Sequence, residues 1–143
     1  MHTRDIECCF RTENLFRVLQ IAVRKAASIQ VPISVCIADA SGLSLAFLRM
    51  DGASLVSVDL AQKKAYTAAM FKMATKDLGA FRQPAASFPM ETILGGKIVT
   101  FGGGIPLLYN DHLIGAIGVS GSWAEQDHEI AQAAADAFPD IAC

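Results

Sequence analysis

Charge is scarce in this chain. Twelve lysines and arginines stand against 14 aspartates and glutamates, and together they make up only 18% of 143 residues. No dense basic stretch occurs, so the electrostatic footprint of a nucleic-acid binder is missing. No apolar run reaches the roughly 18 residues that span a bilayer. Residues 1–10 contain Arg4, Asp5 and Glu7 and no signal-peptide core, so the chain reads as cytoplasmic. Its four cysteines are Cys8, Cys9, Cys36 and Cys143, two of them adjacent and none in a CxxC pair. That pattern argues against a disulfide framework and against structural zinc, and Cys36 reads as a core thiol. His2, His112 and His128 are scattered and form no spaced metal set. There is no GxSxG, no HExxH and no phosphate-loop GxxxxGKS/T, so hydrolase, metalloprotease and P-loop chemistry are not encoded in any familiar form. Repeats, low-complexity tracts and linkers are also missing. One domain over residues 1–143 is the simplest account, with 1–11 as a loose N-terminus.

What is present is apolar. A hydrophobic fraction of 52% is ample for a core at this length, and with so little charge it points to self-association. Leu15, Val18, Leu19, Ala22, Ala26 and Ile29 recur at helical spacing over residues 13–29, with Thr12 as cap. Ile33, Val35 and Ile37 alternate with Ser34, Cys36 and Ala38. After the turn Asp39-Ala40-Ser41-Gly42, Leu43, Leu45 and Phe47 alternate again, which is a β-hairpin pattern. Ser54 opens a second helix reaching Phe71, with Leu55, Val58, Ala61, Ala65, Ala68 and Ala69 inward. A short helix over 75–81 follows, and 83–96 is the least regular stretch. Residues 97–101 read as a strand, 106–109 as another, and 113–119 as a last one, with Ile114, Ala116 and Gly118 on a small-residue face. Ser122 and Glu125 have capping-box spacing for a final helix with Ile130, Ala133, Ala134 and Ala137 inward and Pro139 as its stop. The sum is an α/β (α+β) fold, an α-β-α sandwich with a five-stranded antiparallel sheet flanked by helices.

Three segments could carry function. Gly102-Gly103-Gly104-Ile105-Pro106 either exposes bare amides to a ligand or is a tight bend between strands. Arg49, closing a strand beside Asp51, Gly52 and Ala53, either grips a ligand carboxylate or pairs with Asp51 or Asp59. Ser120-Gly121-Ser122 opens the last helix, where free amides favour anions, although capping competes for the same amides. Lys63 and Lys64 default to a solvated helix face. Met70, Phe71, Met73 and Phe81 read as core or contact surface.

Taken in order, three stretches resemble the GlcG/HbpS-like (haem-degrading-type) family, related to the C-terminal domain of PduO-type corrinoid adenosyltransferases. They are Val35-Cys36-Ile37-Ala38-Asp39 through Arg49-Met50-Asp51-Gly52-Ala53, then Ala61-Gln62-Lys63-Lys64-Ala65-Tyr66, then Gly103-Gly104-Ile105-Pro106 through Gly118-Val119-Ser120-Gly121 to Gln126-Asp127. The resemblance implies a profilin-like or PAS-like sandwich, homo-oligomers, and a pocket drawn from Arg49, Asp51, Gly52, Ala53, Lys64, Gly103, Gly104, Pro106, Ser120, Gly121, Gln126 and Asp127, to which Gly102 and Ile105 are adjacent. Some such relatives bind haem through a histidine on the first helix. Residues 13–29 hold no histidine, so haem here would need a methionine, a cysteine or His128 as ligand.

The sequence therefore leads to an accessory protein that binds a small ligand. The ligand is a tetrapyrrole (haem or corrinoid) or a small metabolite of glycolate, diol or glycerol utilisation. The competing readings are an enzyme on a small hydroxy or carbonyl compound, with Asp51 as base, and a structural oligomer or partner-docking module. Neither nucleic acid nor membrane is an expected partner.

Overall fold

The computed structural model describes residues 9–81 and 90–142. Helix α1 (Thr12–Ser28) leads into strands β1 (Ser34–Asp39) and β2 (Ser44–Arg49). Helix α2 (Leu55–Phe71) and the one-turn α3 (Thr75–Leu78) follow, then β3 (Gly104–Tyr109), β4 (His112–Ser120) and helix α4 (Ala124–Ala142). All strand pairs are antiparallel, in the order β2-β1-β4-β3. Local chemistry sets both hairpins. Asp39 Oδ1 accepts the N–H groups of Ser41 and Leu43, an Asx turn. Asn110 and Asp111 sit at φ 49° and 63°, the left-handed pair that a two-residue hairpin loop demands.

The two faces of the sheet differ in side-chain size. Val35, Ile37, Ile105, Leu107, Ile117 and Val119 point to one side, where α1 and α4 cover them through Val18, Leu19, Ala22, Ile130, Ala134 and Phe138. This is the main core, and burial of its aliphatic surface at ~25 cal/mol per Å² is the chief stabilising term. The other side carries Cys36, Ala38 and Ala116, and α2 lies on it through Ala61, Ala65, Ala68 and Ala69. Contact there is so close that a Cβ on Gly118 would stand 2.0 Å from the Ala61 carbonyl oxygen.

Several expectations are corrected. Among the described residues the sheet has four strands, not five. Residues 97–101 do not pair with a strand because Thr67, on α2, takes their polar groups. Its hydroxyl donates to the Lys97 carbonyl at 3.1 Å and accepts the Val99 N–H at 3.0 Å. Thr12 lies inside α1, whose N-cap is Arg11, with no side-chain cap bond. Leu55 is on the outside of α2, at 78% exposure. Ile114 joins the main core, because the β3–β4 register slips beside Leu107 and Leu108. On α4 the buried stripe is Asp127, Ile130, Ala131, Ala134, Phe138 and Ala142, so Ala133 and Ala137 sit half-buried at its margin. Pro139 does not stop α4. In the last turn a missing N–H forfeits a single helical bond, and the helix continues to Ala142. The expected loose N-terminus and irregular stretch fall partly on residues 1–8 and 82–89, outside the described residues. Among the described residues no helix is long and apolar enough to cross a membrane.

Candidate functional site

Four elements converge where β4 ends and β3 begins. Lys64 projects from the inner face of α2 and is fully buried. Its ammonium donates to Asp127 Oδ2 at 3.0 Å and to the Val119 carbonyl at 3.0 Å. Asp127, in the first turns of α4, is as deeply enclosed, and its second oxygen accepts the Ser122 N–H at 3.0 Å. Burial pushes the Lys64 ammonium below its ordinary value and the Asp127 carboxyl above its own, against the attraction between them. The solvated face expected for Lys64 is therefore overturned. Lys63 does behave that way, pairing with Asp59 one turn back at 2.8 Å.

The triple glycine wraps this ion pair. A side chain on Gly103 would stand 2.3 Å from the Val119 oxygen and 2.7 Å from Lys64 Nζ, and its φ is +131°. One on Gly104 would meet the Lys64 carbonyl at 2.4 Å. The glycines are thus needed for close approach of the backbone, and their polar groups are used. The Gly103 carbonyl accepts the Val119 N–H, and the Gly104 N–H donates to Thr75 Oγ1 at 2.9 Å. Thr75 in turn donates to the Phe101 carbonyl at 2.7 Å. Its role left no pattern in the sequence, since a lone buried threonine carries no spacing signal.

Gly102 stands apart from this packing, as the floor of an open cleft of about 480 Å³ lined by Lys76, Thr100, Phe101, Gly102, Ala124, Glu125 and His128. That volume is within the usual range for small-molecule sites. A Cβ on Gly102 would meet the Ala124 carbonyl at 2.7 Å and His128 Cβ at 3.2 Å, so glycine lets the loop lie flat on α4. Phe101 is 45% exposed, with Lys64 Nζ 5.0 Å from its ring centroid. His128 Nδ1 is buried and has no hydrogen-bond partner among the described residues, an uncommon condition for a native polar atom. Burial, then the charge of Lys76, pushes this imidazole below its ordinary value of 6.5, with Asp77 opposing. Folding thus disfavours the protonated ring, and the unfolded chain takes up the proton first as pH falls through 6.5. Acidification from pH 7 to 5 is expected to lower the unfolding midpoint less in a His128→Asn variant than in the parent, by thermal melts at both pH values. An equal drop would contradict this.

The remaining candidates serve structure or lie elsewhere. Arg49 and the glycines sit on opposite edges of the sheet. Among the described residues the Arg49 guanidinium forms no ion pair with Asp51 or Asp59. It donates twice to the Ala53 carbonyl, at 2.8 and 3.2 Å, and clasps the Asp51-Gly52 turn that feeds α2. Asp51 is exposed, and Ala53 is buried beneath the turn. Ile105 belongs to the main core and Pro106 is half-buried on the edge strand β3. Ser120 is buried opposite Ser34. Gly121 passes the backbone of Pro32 and Ile33 so closely that a Cβ would be 2.3 Å from the Pro32 oxygen. The capping box does not form. Ser122 bonds Gln126 through its hydroxyl, and its amide goes to Asp127 because Lys64 already fixes that carboxylate. Lys64, Gly103, Gly104 and Asp127 meet at the ion pair, with Gly102 beside them and Gly121 and Gln126 at the adjoining start of α4, whereas the turn carrying Arg49, Asp51, Gly52 and Ala53 lies across Ser34 and Pro32 from Ser120 and Gly121. Among the described residues no three His, Cys, Asp or Glu side chains converge as a metal site.

Known proteins resemble this chain in sequence and in fold. Residues 10–136 match the family model described as "Haem degrading protein HbpS-like". The corrinoid adenosyltransferase PduO of Salmonella typhimurium is 47% identical over 122 residues, which are 85% of this chain and 36% of that protein. A 15.0 kDa protein from the dhaT-dhaS intergenic region of Citrobacter freundii is 37% identical over 87% of this chain and 89% of its own length. The crystal structure of a PduOC:heme complex superimposes with a TM-score of 0.85 at 44% identity, covering 90% of this chain and 94% of that one. This chain spans only 36% and 40% of the two PduO proteins it matches.

Proposed function

This chain belongs to the HbpS-like family, and from that membership we propose that it is a ligand-binding module whose cleft beside Gly102 takes a tetrapyrrole. The observation that carries the reading is His128, whose ring lines the wall of an open cleft and whose charged form is disfavoured by burial. A neutral imidazole is the form that ligates metals. The other lining residues suit a flat macrocycle with an acidic edge. Phe101 offers an apolar ring, Gly102 a stretch of wall without a side chain, and Lys76 a cation for an acidic edge, while the Glu125 carboxylate leaves room for only one such edge near Lys76. When bound, a tetrapyrrole would supply the chemistry of its central metal. The chain's own part is to bind it, orient it and exclude water from one face. Relatives support the class of ligand, one of them being crystallised with heme. Haem ligated from the first helix, as in some family members, does not fit here, since α1 contains no histidine.

A ligand that binds only the folded state raises its stability, by ~2.7 kcal/mol at about 100 times the dissociation constant. Titration with haem and with cobalamin, followed by absorption and thermal melting, should give a saturable spectrum and a raised midpoint. His128→Ala should weaken binding of the successful ligand at least ten-fold. Absence of any shift with either tetrapyrrole would defeat the reading, and unchanged binding by His128→Ala would defeat the assignment of the site. A shift with glycolate or glycerol alone would put the small-metabolite alternative in its place.

A further inference from the structure

We propose that the trough between β2 and α2 is a second binding site, for a small monocarboxylate, separate from the cleft at Gly102. The trough encloses about 240 Å³ and shares no lining residue with that cleft. At ~30 Å³ for each water-sized group it has room for roughly eight non-hydrogen atoms, too few for a macrocycle.

A bulge in β2 builds the floor. Ile37 pairs with Ala46, but Ala38 pairs with Ser44, so Leu45 is the extra residue. A regular ladder would set Leu45 across from Ala38 and fill the space under α2 with its side chain. The bulge passes Leu45 over and brings Ser44 to the α2 side, where its hydroxyl meets the Cys36 thiol at 3.4 Å. Bulges re-aim side chains in this way beside functional sites. Burial pushes the Cys36 thiol above its ordinary value, so the floor carries two neutral polar groups, a hydroxyl and a thiol.

Helix α2 supplies the facing wall. Asp59, Lys63 and Tyr66 follow one another there at helical spacing. Gly42, at φ +80°, lets the hairpin turn lie against the Tyr66 ring, since a Cβ on it would stand 2.6 Å from that ring. Lys97 holds its ammonium over the same ring, 5.2 Å from the centroid, and its backbone is fixed by the bond from Thr67. Tyr66 and the exposed Leu43 make the wall apolar.

Charge sets the sign of the ligand. Asp59 and Lys63 neutralise each other at 2.8 Å. Among the described residues Lys97 has no carboxylate partner, so the rim keeps one positive charge. A carboxylate answers that charge, and a short apolar body fits along Tyr66 and Leu43 toward the polar floor.

Amide NMR of the full chain titrated with butyrate, at fixed ionic strength, should give saturable shifts centred on residues 42–44, 62–66 and 97. Butyramide and butylammonium, of similar size but neutral and cationic, should bind several-fold more weakly. Lys97→Gln should weaken butyrate binding roughly three-fold, as an exposed ion pair allows. Ser44→Leu should fill the trough and abolish binding. Arg24→Gln, exposed on α1, should change nothing. Lys97 is exposed and outside any strand, so Lys97→Gln decides the matter if Ser44→Leu fails to fold. No saturable shift at tens of millimolar butyrate overturns the proposal. So does equal binding of butyramide, unchanged affinity in Lys97→Gln or in a folded Ser44→Leu, or equal weakening by Arg24→Gln.

Discussion

Asp127→Ala should cost roughly 3–5 kcal/mol of stability, as stranding a buried partner usually does, and should lower the melting midpoint by about 10–17 °C in a chain of this size. The cause is enclosure. Lys64 has no exposed surface, so its ammonium cannot turn to water once the carboxylate is gone, and only the Val119 carbonyl remains. Asp127 also holds the Ser122 amide at the entrance of α4. The joint replacement Lys64→Met with Asp127→Leu should recover most of the loss, since two apolar groups in that space leave no charge unpaired. Chemical denaturation of the three proteins checks this. A loss below about 1 kcal/mol in the single variant would show that water reaches Lys64. The titration has a sign of its own. Because the folded Asp127 carboxyl lies above its ordinary value, folding disfavours its charged form. That cost is present above the folded value and is relieved as pH falls through it, so this carboxyl does not drive acid unfolding.

Gly118→Ala should be nearly as damaging, at about 3 kcal/mol or more. The added methyl would lie 2.0 Å from the Ala61 oxygen and 2.5 Å from the Ala65 nitrogen. Both are backbone atoms of α2, so no side chain can swing aside and the helix itself must lift. Gly52→Ala is the control. There φ is +83°, but the nearest atoms belong to Pro32 at 3.8 Å, so only left-handed strain remains, about 1–2 kcal/mol. If unfolding experiments rank the two losses in the opposite order, the close seating of α2 is not what fixes that glycine.

Residues that act on near neighbours were legible in the sequence. The alternation of Val35 and Ile37, the Asp39 turn and the α1 stripe each depend on groups a few positions apart. Residues 97–101 misled because Ile98 and Val99 have strand character, while the partner that captures their backbone, Thr67, lies about 30 positions away on a helix. Lys64 is the sharper case. It neighbours Lys63 and differs only in the direction it points, and its carboxylate is 63 residues distant. No periodicity links such a pair. Family resemblance placed Lys64 and Asp127 in one set, but the reason for it, a salt bridge under a glycine wrap, is visible only in three dimensions. The ion pair expected between Arg49 and Asp51 or Asp59 does not form, since the partner Arg49 takes, the Ala53 carbonyl, is a backbone atom that sequence cannot advertise.

The unequal faces of the sheet also bear on how this protein tolerates change. On the side of α1 and α4, aliphatic side chains of similar volume can be exchanged and repacked, with costs spread over many contacts. Beneath α2 there is no side-chain volume to trade. Methyl groups and bare main chain meet main chain, so a single added carbon is felt at once. Substitution libraries should therefore show a lopsided map, with conservative swaps accepted freely in one layer and almost nothing beyond alanine, serine or glycine accepted in the other.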